Sequence, residues 1–65
     1  MKVKALTRMI NDYGTKPHIR VMKHTDSCSV LVFEGKPSNI DEATEKLKVN
    51  SFTILAKGFL EIHAQ

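Results

Sequence analysis

The 65-residue chain has little of several features that would narrow its function: one cysteine, no tryptophan and no long apolar run. Because Cys28 is alone, no internal disulfide can form, and a reducing, cytoplasmic setting is expected. The longest apolar run, residues 30–33, is far too short to span a membrane, and no signal-peptide pattern opens the chain. Such a short chain is near the lower limit for folding without disulfides or metal. We therefore expect one domain, residues 1–65, that gains stability as a homodimer.

Motifs for catalysis and for metal binding are also missing. The chain has no GxSxG, HExxH or glycine-rich phosphate loop, and no CxxC or HxxxH pair typical of structural zinc sites. Its soft or borderline metal ligands are His18, His24, His63 and Cys28. His24 and Cys28 flank one predicted turn, but the chain has little length left to build a substrate pocket around a Cys28 nucleophile. The sequence predicts a non-enzymatic protein with no metal, no cofactor and no small-molecule substrate.

The last sixteen residues have the pattern of a β-hairpin. A three-residue loop ending at Gly58 pairs Leu55 with Phe59, whereas a two-residue loop, Lys57-Gly58, would pair Ala56 with Phe59. We favour the three-residue loop because a one-residue slip would mix the apolar and polar faces of the hairpin. The apolar face then comprises Phe52, Ile54, Leu60 and Ile62, and the polar face comprises Ser51, Thr53, Glu61 and His63.

The first half of the chain predicts a helix followed by a second hairpin. Apolar residues recur at helical spacing from Val3 onward, which indicates a helix from about Lys4 to Tyr13 with Gly14 as its C-cap. Residues 18–23 and 29–34 read as two strands around a turn. The expected pairs of this second hairpin are His24 with Ser29, Met22 with Leu31 and Val21 with Val32.

Residues 30–33 are apolar without interruption, which predicts a central strand covered on both faces. After it, Ser38 and Asn39 are candidate N-caps of a helix of two to three turns, with Asp41 and Glu42 in capping-box spacing. Its predicted apolar stripe is Ile40, Ala43 and Leu47. The fold class is therefore α+β: a small antiparallel or mixed sheet of about four strands, in two β-hairpins, with two short helices.

Two surfaces are candidates for binding. Leu55 and Phe59 are paired beside the turn on an otherwise polar face, and we predict that they contact a protein partner or a second copy of the chain. The alternative function is nucleic-acid binding, because residues 1–24 carry a net charge of +5 while residues 25–65 carry −2. The candidate contacts for this alternative are Lys4, Arg8, Arg20 and Lys23.

Four short segments give the chain its plan: MKVKAL (residues 1–6), FEGK (33–36), IDE (40–42) and LEI (60–62). This plan resembles that of small α+β proteins encoded by phages and mobile elements of low-GC Gram-positive bacteria. The resemblance implies a cytoplasmic accessory protein that binds and modulates a host factor. It carries over no functional residue, because the matching segments contain no functional motif.

Overall fold

The computed structural model describes residues 1–12, 17–56 and 58–65 and confirms the α+β class, with four strands and two short helices. The elements in chain order are α1 (Val3–Asp12), β1 (His18–His24), β2 (Ser29–Gly35), a 3₁₀ turn (Pro37–Asn39), α2 (Glu42–Glu45), β3 (Val49–Ala56) and β4 (Phe59–Ala64). Within the described ranges, no helix has the length and apolar content needed to cross a membrane.

The four strands form one mixed sheet in the order β2-β1-β4-β3. Each hairpin is antiparallel, and the two hairpins join where β1 and β4 run parallel, with Ile19 opposite Leu60 and Val21 opposite Ile62. All four of these residues belong to the buried core. The two most buried strands of the sheet are therefore one strand from each hairpin.

β2 was predicted to be the central strand, and this prediction was wrong, because the strand order places β2 at an edge. Val30 and Leu31 remain about half exposed. The apolar run instead reflects a β-bulge: the β1–β2 register shifts so that Val32 is an extra residue, and both Val32 and Phe33 pack against the core.

The same bulge determines which of the predicted residue pairs form in the first hairpin. His24 pairs with Ser29 and Met22 with Leu31, as predicted. Val21 pairs with Phe33, and the predicted pair with Val32 is wrong, because the inserted residue shifts the register by one beyond Met22.

A bulge also resolves the choice between the two loops of the C-terminal hairpin. Ile54 pairs with Leu60, as predicted, but Ala56 pairs with Phe59, so the predicted pair of Leu55 and Phe59 is wrong. The register shift between Ile54 and Ala56 leaves Leu55 as the extra residue. Gly58 adopts a φ of 76°, the left-handed conformation expected of the glycine in this turn. The prediction for Lys57 lies outside the described residues.

α1 packs against one face of the sheet and closes the core. Val3 and Leu6 of the helix are buried with the central residues of β1 and β4, and Ile10 packs beside them. The helix spacing predicted from Val3 onward is thus confirmed, while the predicted helix end at Tyr13 and Gly14 lies outside the described residues. The opposite face of the sheet, called here the open face, carries the alternate side chains of β1 and β4.

α2 is shorter than predicted and begins at a different residue. Its N-cap is Asp41, whose carboxylate accepts hydrogen bonds from the Thr44 backbone N–H (3.2 Å) and hydroxyl (2.7 Å). The predicted N-caps, Ser38 and Asn39, lie in the 3₁₀ turn that Pro37 opens, and the chain is extended again before α2 begins. The predicted apolar stripe is also partly wrong, because Thr44 is buried while Ala43 is exposed.

Candidate functional site

Arg20 and the two carboxylates that flank it form a line of charged side chains across the open face. Register places Glu34 of β2 and Glu61 of β4 directly opposite Arg20 of β1. The Arg20 Nε donates to Glu34 Oε1 at 2.9 Å, and its Nη1 lies 3.5 Å from Glu61 Oε2. The hydrogen bond from Arg20 lowers the pKa of Glu34, and His18, 3.4 Å from the same carboxylate, lowers it further.

The polar line continues from Glu61 through two histidines. Glu61 Oε1 lies 2.8 Å from His63 Nε2, and His63 Nδ1 lies 2.6 Å from His24 Nε2. The second nitrogen of His24, Nδ1, lies 2.7 Å from the hydroxyl of Ser29. The His24 and His63 rings meet nearly end to end through these two nitrogens, with their centroids 4.9 Å apart. Side chains from β2, β1 and β4 thereby form one continuous line of polar contacts.

Cys28, weighed above as a nucleophile, lies in the exposed turn between β1 and β2. Its Sγ is 3.5 Å from the Thr25 hydroxyl, and Thr25 also accepts the Cys28 backbone N–H. Within the described part of the chain, no hydrogen bond joins the thiol to His24, whose ring nitrogens are engaged by Ser29 and His63. The geometry gives Cys28 a place in the turn and no base beside it.

The predicted partner contacts, Leu55 and Phe59, are not directly opposed in the hairpin. Phe59 is partly covered on the open face, where the Arg20 guanidinium lies 5.2 Å from its ring centroid and the His18 ring lies 4.9 Å away. Leu55 is the bulge residue of β3 and is 50% exposed. Leu55 is therefore the more exposed residue of this pair.

A second exposed apolar surface lies on β3, and it consists of residues that the sequence pattern assigned to the core. Phe52 is 54% exposed and Ile54 is 73% exposed, although both share the α1 side of the sheet with the buried residues Ile62 and Leu60. α1 packs on the buried residues of the two central strands, and of the β3 side chains that the structure describes only Val49 is among the residues that pack against this core. We refer to Phe52, Ile54 and Leu55 together as the β3 strip.

The sequence of β3 is visibly apolar, but its pattern predicted packing within the same chain and not contact with another molecule. Val49–Ala56 contains no charged residue and no proline, both of which commonly protect edge strands. The prediction rested on alternation instead, which places Phe52 and Ile54 on the apolar face of the hairpin with Leu60 and Ile62. The position of β3 at the edge follows from the strand order, which local patterns do not specify.

The four candidate nucleic-acid contacts are divided between the two sides of the sheet. Lys4 and Arg8 are exposed on α1. Lys23 lies on the α1 side of the sheet, in a depression that Asp41 and Thr44 also line. Arg20 is on the open face between two carboxylates, which offset its charge. The structure therefore does not gather these cations on one surface.

Comparisons of the chain with protein-family models, with curated proteins and with solved structures yield no significant match.

Proposed function

We propose that this chain is a protein-interaction module that associates through the β3 strip, and that its partner is a second copy of itself. The observation that supports this most is the exposure of Phe52 and Ile54 on a strand without charges. An uncharged edge strand offers unpaired backbone groups and apolar side chains to another chain. Leu55 of the predicted contact pair stays in this surface, and Phe52 and Ile54 take the place of Phe59.

The outer edge of β3 has a free stretch that can pair with an antiparallel strand of the partner. At the start of β3 the outer edge is already used: Val49 N–H donates to the Met1 carbonyl at 2.8 Å, and Lys2 forms an antiparallel bridge with Lys48. Among the described residues, nothing pairs with the outer edge beyond this point. The next register shift lies after Ile54, so the regular stretch open to a partner is residues 51–54.

Symmetry fixes the register that the second copy would use. In an antiparallel pair, directly opposed residues point to the same face of the sheet. If a two-fold axis passes through Thr53 perpendicular to the sheet, Phe52 of each copy lies directly opposite Ile54 of the other copy. The apolar side chains of both copies then meet on the α1 side, beside the buried residues Leu60 and Ile62. No charge is buried by this contact, because β3 has none.

The test is the oligomeric state, measured by sedimentation equilibrium over a wide range of protein concentration. We expect a dimer for the native sequence and a monomer for Ile54→Lys, which places a charge in the contact. Val30→Lys is the matched control, since Val30 is also an exposed β-branched residue on an edge strand. It should dimerise like the native protein. Circular dichroism establishes that both variants are folded.

Two results would overturn the proposal: a native protein that stays monomeric at every concentration, or an Ile54→Lys variant that still dimerises. If the native protein is monomeric, a pull-down with and without nuclease distinguishes the other occupants. A protein retained after nuclease treatment would replace the second copy by a host factor, as the phage-type accessory role predicts. Recovered nucleic acid would move the function to the basic residues of α1.

A further inference from the structure

Two histidines approach each other closely on the open face, at the far end of the parallel β1–β4 pair. His24 Nε2 and His63 Nδ1 are 2.6 Å apart. At this distance two facing lone pairs would repel each other, so either one ring donates an N–H to the other or a cation lies between the two nitrogens. Both side chains are partly exposed, so an ion can reach them from solvent.

The outer nitrogens of both rings are already held. His63 Nε2 lies 2.8 Å from the Glu61 carboxylate, and because an ionised carboxylate only accepts, this contact favours the His63 tautomer that carries its proton on Nε2. His63 Nδ1 therefore presents a lone pair toward His24. On the other ring, Ser29 Oγ lies 2.7 Å from His24 Nδ1; when the hydroxyl accepts the Nδ1 proton, the His24 Nε2 lone pair faces inward as well.

From this arrangement we infer that His24 and His63 form a binding site for a divalent transition-metal ion of the Zn²⁺ class. Metal-binding histidines commonly donate their second N–H to a carboxylate or another oxygen, which fixes the tautomer and the ring orientation. Glu61 and Ser29 occupy these positions here. Glu61 is itself held by Arg20, whose Nη1 lies 3.5 Å from the second carboxylate oxygen.

The geometry requires only a small opening of the pair. Two nitrogens bound to one tetrahedral Zn²⁺ at about 2.0–2.1 Å lie about 3.3 Å apart, so the rings must separate by about 0.7 Å. Among the described residues no third histidine, cysteine or carboxylate converges on the pair. Water fills the remaining coordination positions. Imidazole nitrogens select transition metals over Mg²⁺ and Ca²⁺, which prefer oxygen ligands.

Motif spacing could not predict this site. The two histidines are 39 residues apart in the chain and meet only because β1 and β4 are neighbours. The expectation of no metal rested on the lack of close ligand pairs along the sequence. Strand pairing supplies such a pair across the sheet.

The test is calorimetric titration of the purified protein with ZnCl₂ and, separately, with MgCl₂. We expect saturable binding of one Zn²⁺ per chain and none of Mg²⁺, with binding abolished in both His24→Gln and His63→Gln. His18→Gln is the matched control, because His18 lies on the same face but contacts Glu34 and Phe59, and it should bind as the native protein does. Glu61→Gln should weaken binding by about 10–100-fold.

Nitrogen-15 NMR of the imidazoles gives a second readout, since metal binding shifts the signals of His63 Nδ1 and His24 Nε2 and not those of His18. The inference is overturned if Zn²⁺ does not bind, if either glutamine variant binds as the native protein does, or if His18→Gln loses binding equally. The titration is repeated with Ile54→Lys. Binding there shows that the site belongs to a single chain and is independent of the β3 strip.

Discussion

Phe52 and Ile62 oppose each other across the β3–β4 ladder, yet Ile62 is fully buried while more than half of Phe52 is exposed. The difference arises because α1 packs with Ile62 in the core, whereas Phe52 is not among the residues that pack against this core. One apolar face of one hairpin is therefore divided between two roles. Its β4 half holds the domain together, and its β3 half is available for association.

This division predicts unequal costs of truncation. Ile62→Val should lower the free energy of unfolding by about 0.5–1.5 kcal/mol, the usual cost of removing one buried methylene group. Phe52→Leu should cost less, although it removes more atoms, because much of the ring is already in water. Urea denaturation in the Ile54→Lys background measures both without a contribution from association. A larger loss for Phe52→Leu would show that β3 is covered in the monomer.

The turn of the C-terminal hairpin should be sensitive to the backbone at Gly58. Its φ of 76° is unfavourable for residues with a Cβ, and Gly58→Ala should cost about 1–2 kcal/mol of stability. A Cβ at this position would meet no atom within 4 Å, so the cost arises from the backbone conformation alone. Gly58→Asn should recover part of the loss, since asparagine tolerates this region better. Equal stability of the alanine and glycine proteins in thermal unfolding would contradict this account.

Acid should destabilise the fold through the carboxylates whose pKa is lowered. Arg20 lowers the pKa of Glu34 from its ordinary value of 4.5, and hydrogen bonds from Thr44 lower the pKa of Asp41 from 3.8. A lowered pKa means that the unfolded chain binds protons first. The stabilisation is therefore complete above the ordinary values and is lost as the pH falls through the lowered ones.

Melting temperatures measured from neutral pH down to strongly acidic pH test this dependence. Glu34→Gln should melt below the native protein at neutral pH, and the two curves should converge as the pH falls below 4.5. Glu42→Gln is the control, because Glu42 makes only an exposed contact with Lys46 at 3.7 Å. A gap between native and Glu34→Gln that persists at the acidic limit would show that Glu34 acts through packing and not through its charge.

The buried hydroxyl of Thr44 should stabilise the start of α2. Thr44→Val keeps the shape but removes the 2.7 Å hydrogen bond to Asp41, and we expect a loss of about 1 kcal/mol. Thr44→Ser retains the hydroxyl and should lose less of this bond, although it removes a buried methyl group. Chemical denaturation of both variants separates the two contributions. A valine variant as stable as the native protein would mean that the backbone N–H alone satisfies the cap.

Local patterns were sufficient for the elements that local forces determine. The apolar spacing from Val3 to Ile10 predicted α1, and the alternation around Gly58 predicted most of the β3–β4 register. In both cases the residues that are one hydrophobic period apart in the sequence lie on the same face of the helix or strand. Leu55 departs from the prediction because a bulge adds a residue without changing the hydrophobic pattern.

The features that were missed depend on which strands become neighbours. The run at residues 30–33 has the composition of a central strand but results from a bulge on an edge strand. His24 and His63 meet through a parallel pairing that no local signal specifies. The exposure of Phe52 depends on how far α1 extends across the sheet, which is a property of packing and not of the β3 sequence.

The parallel junction of β1 and β4 also determines the order in which the chain can fold. Each hairpin closes a short loop, whereas joining Ile19 to Leu60 closes a loop of about forty residues, which costs more conformational entropy. The hairpins can therefore form early, and the core appears only when they dock. Before docking, β4 presents a free edge that fits β1 of any copy equally well. Refolding at high concentration would thus favour molecules that have exchanged their C-terminal hairpins, a second route to a dimer that does not use the β3 strip.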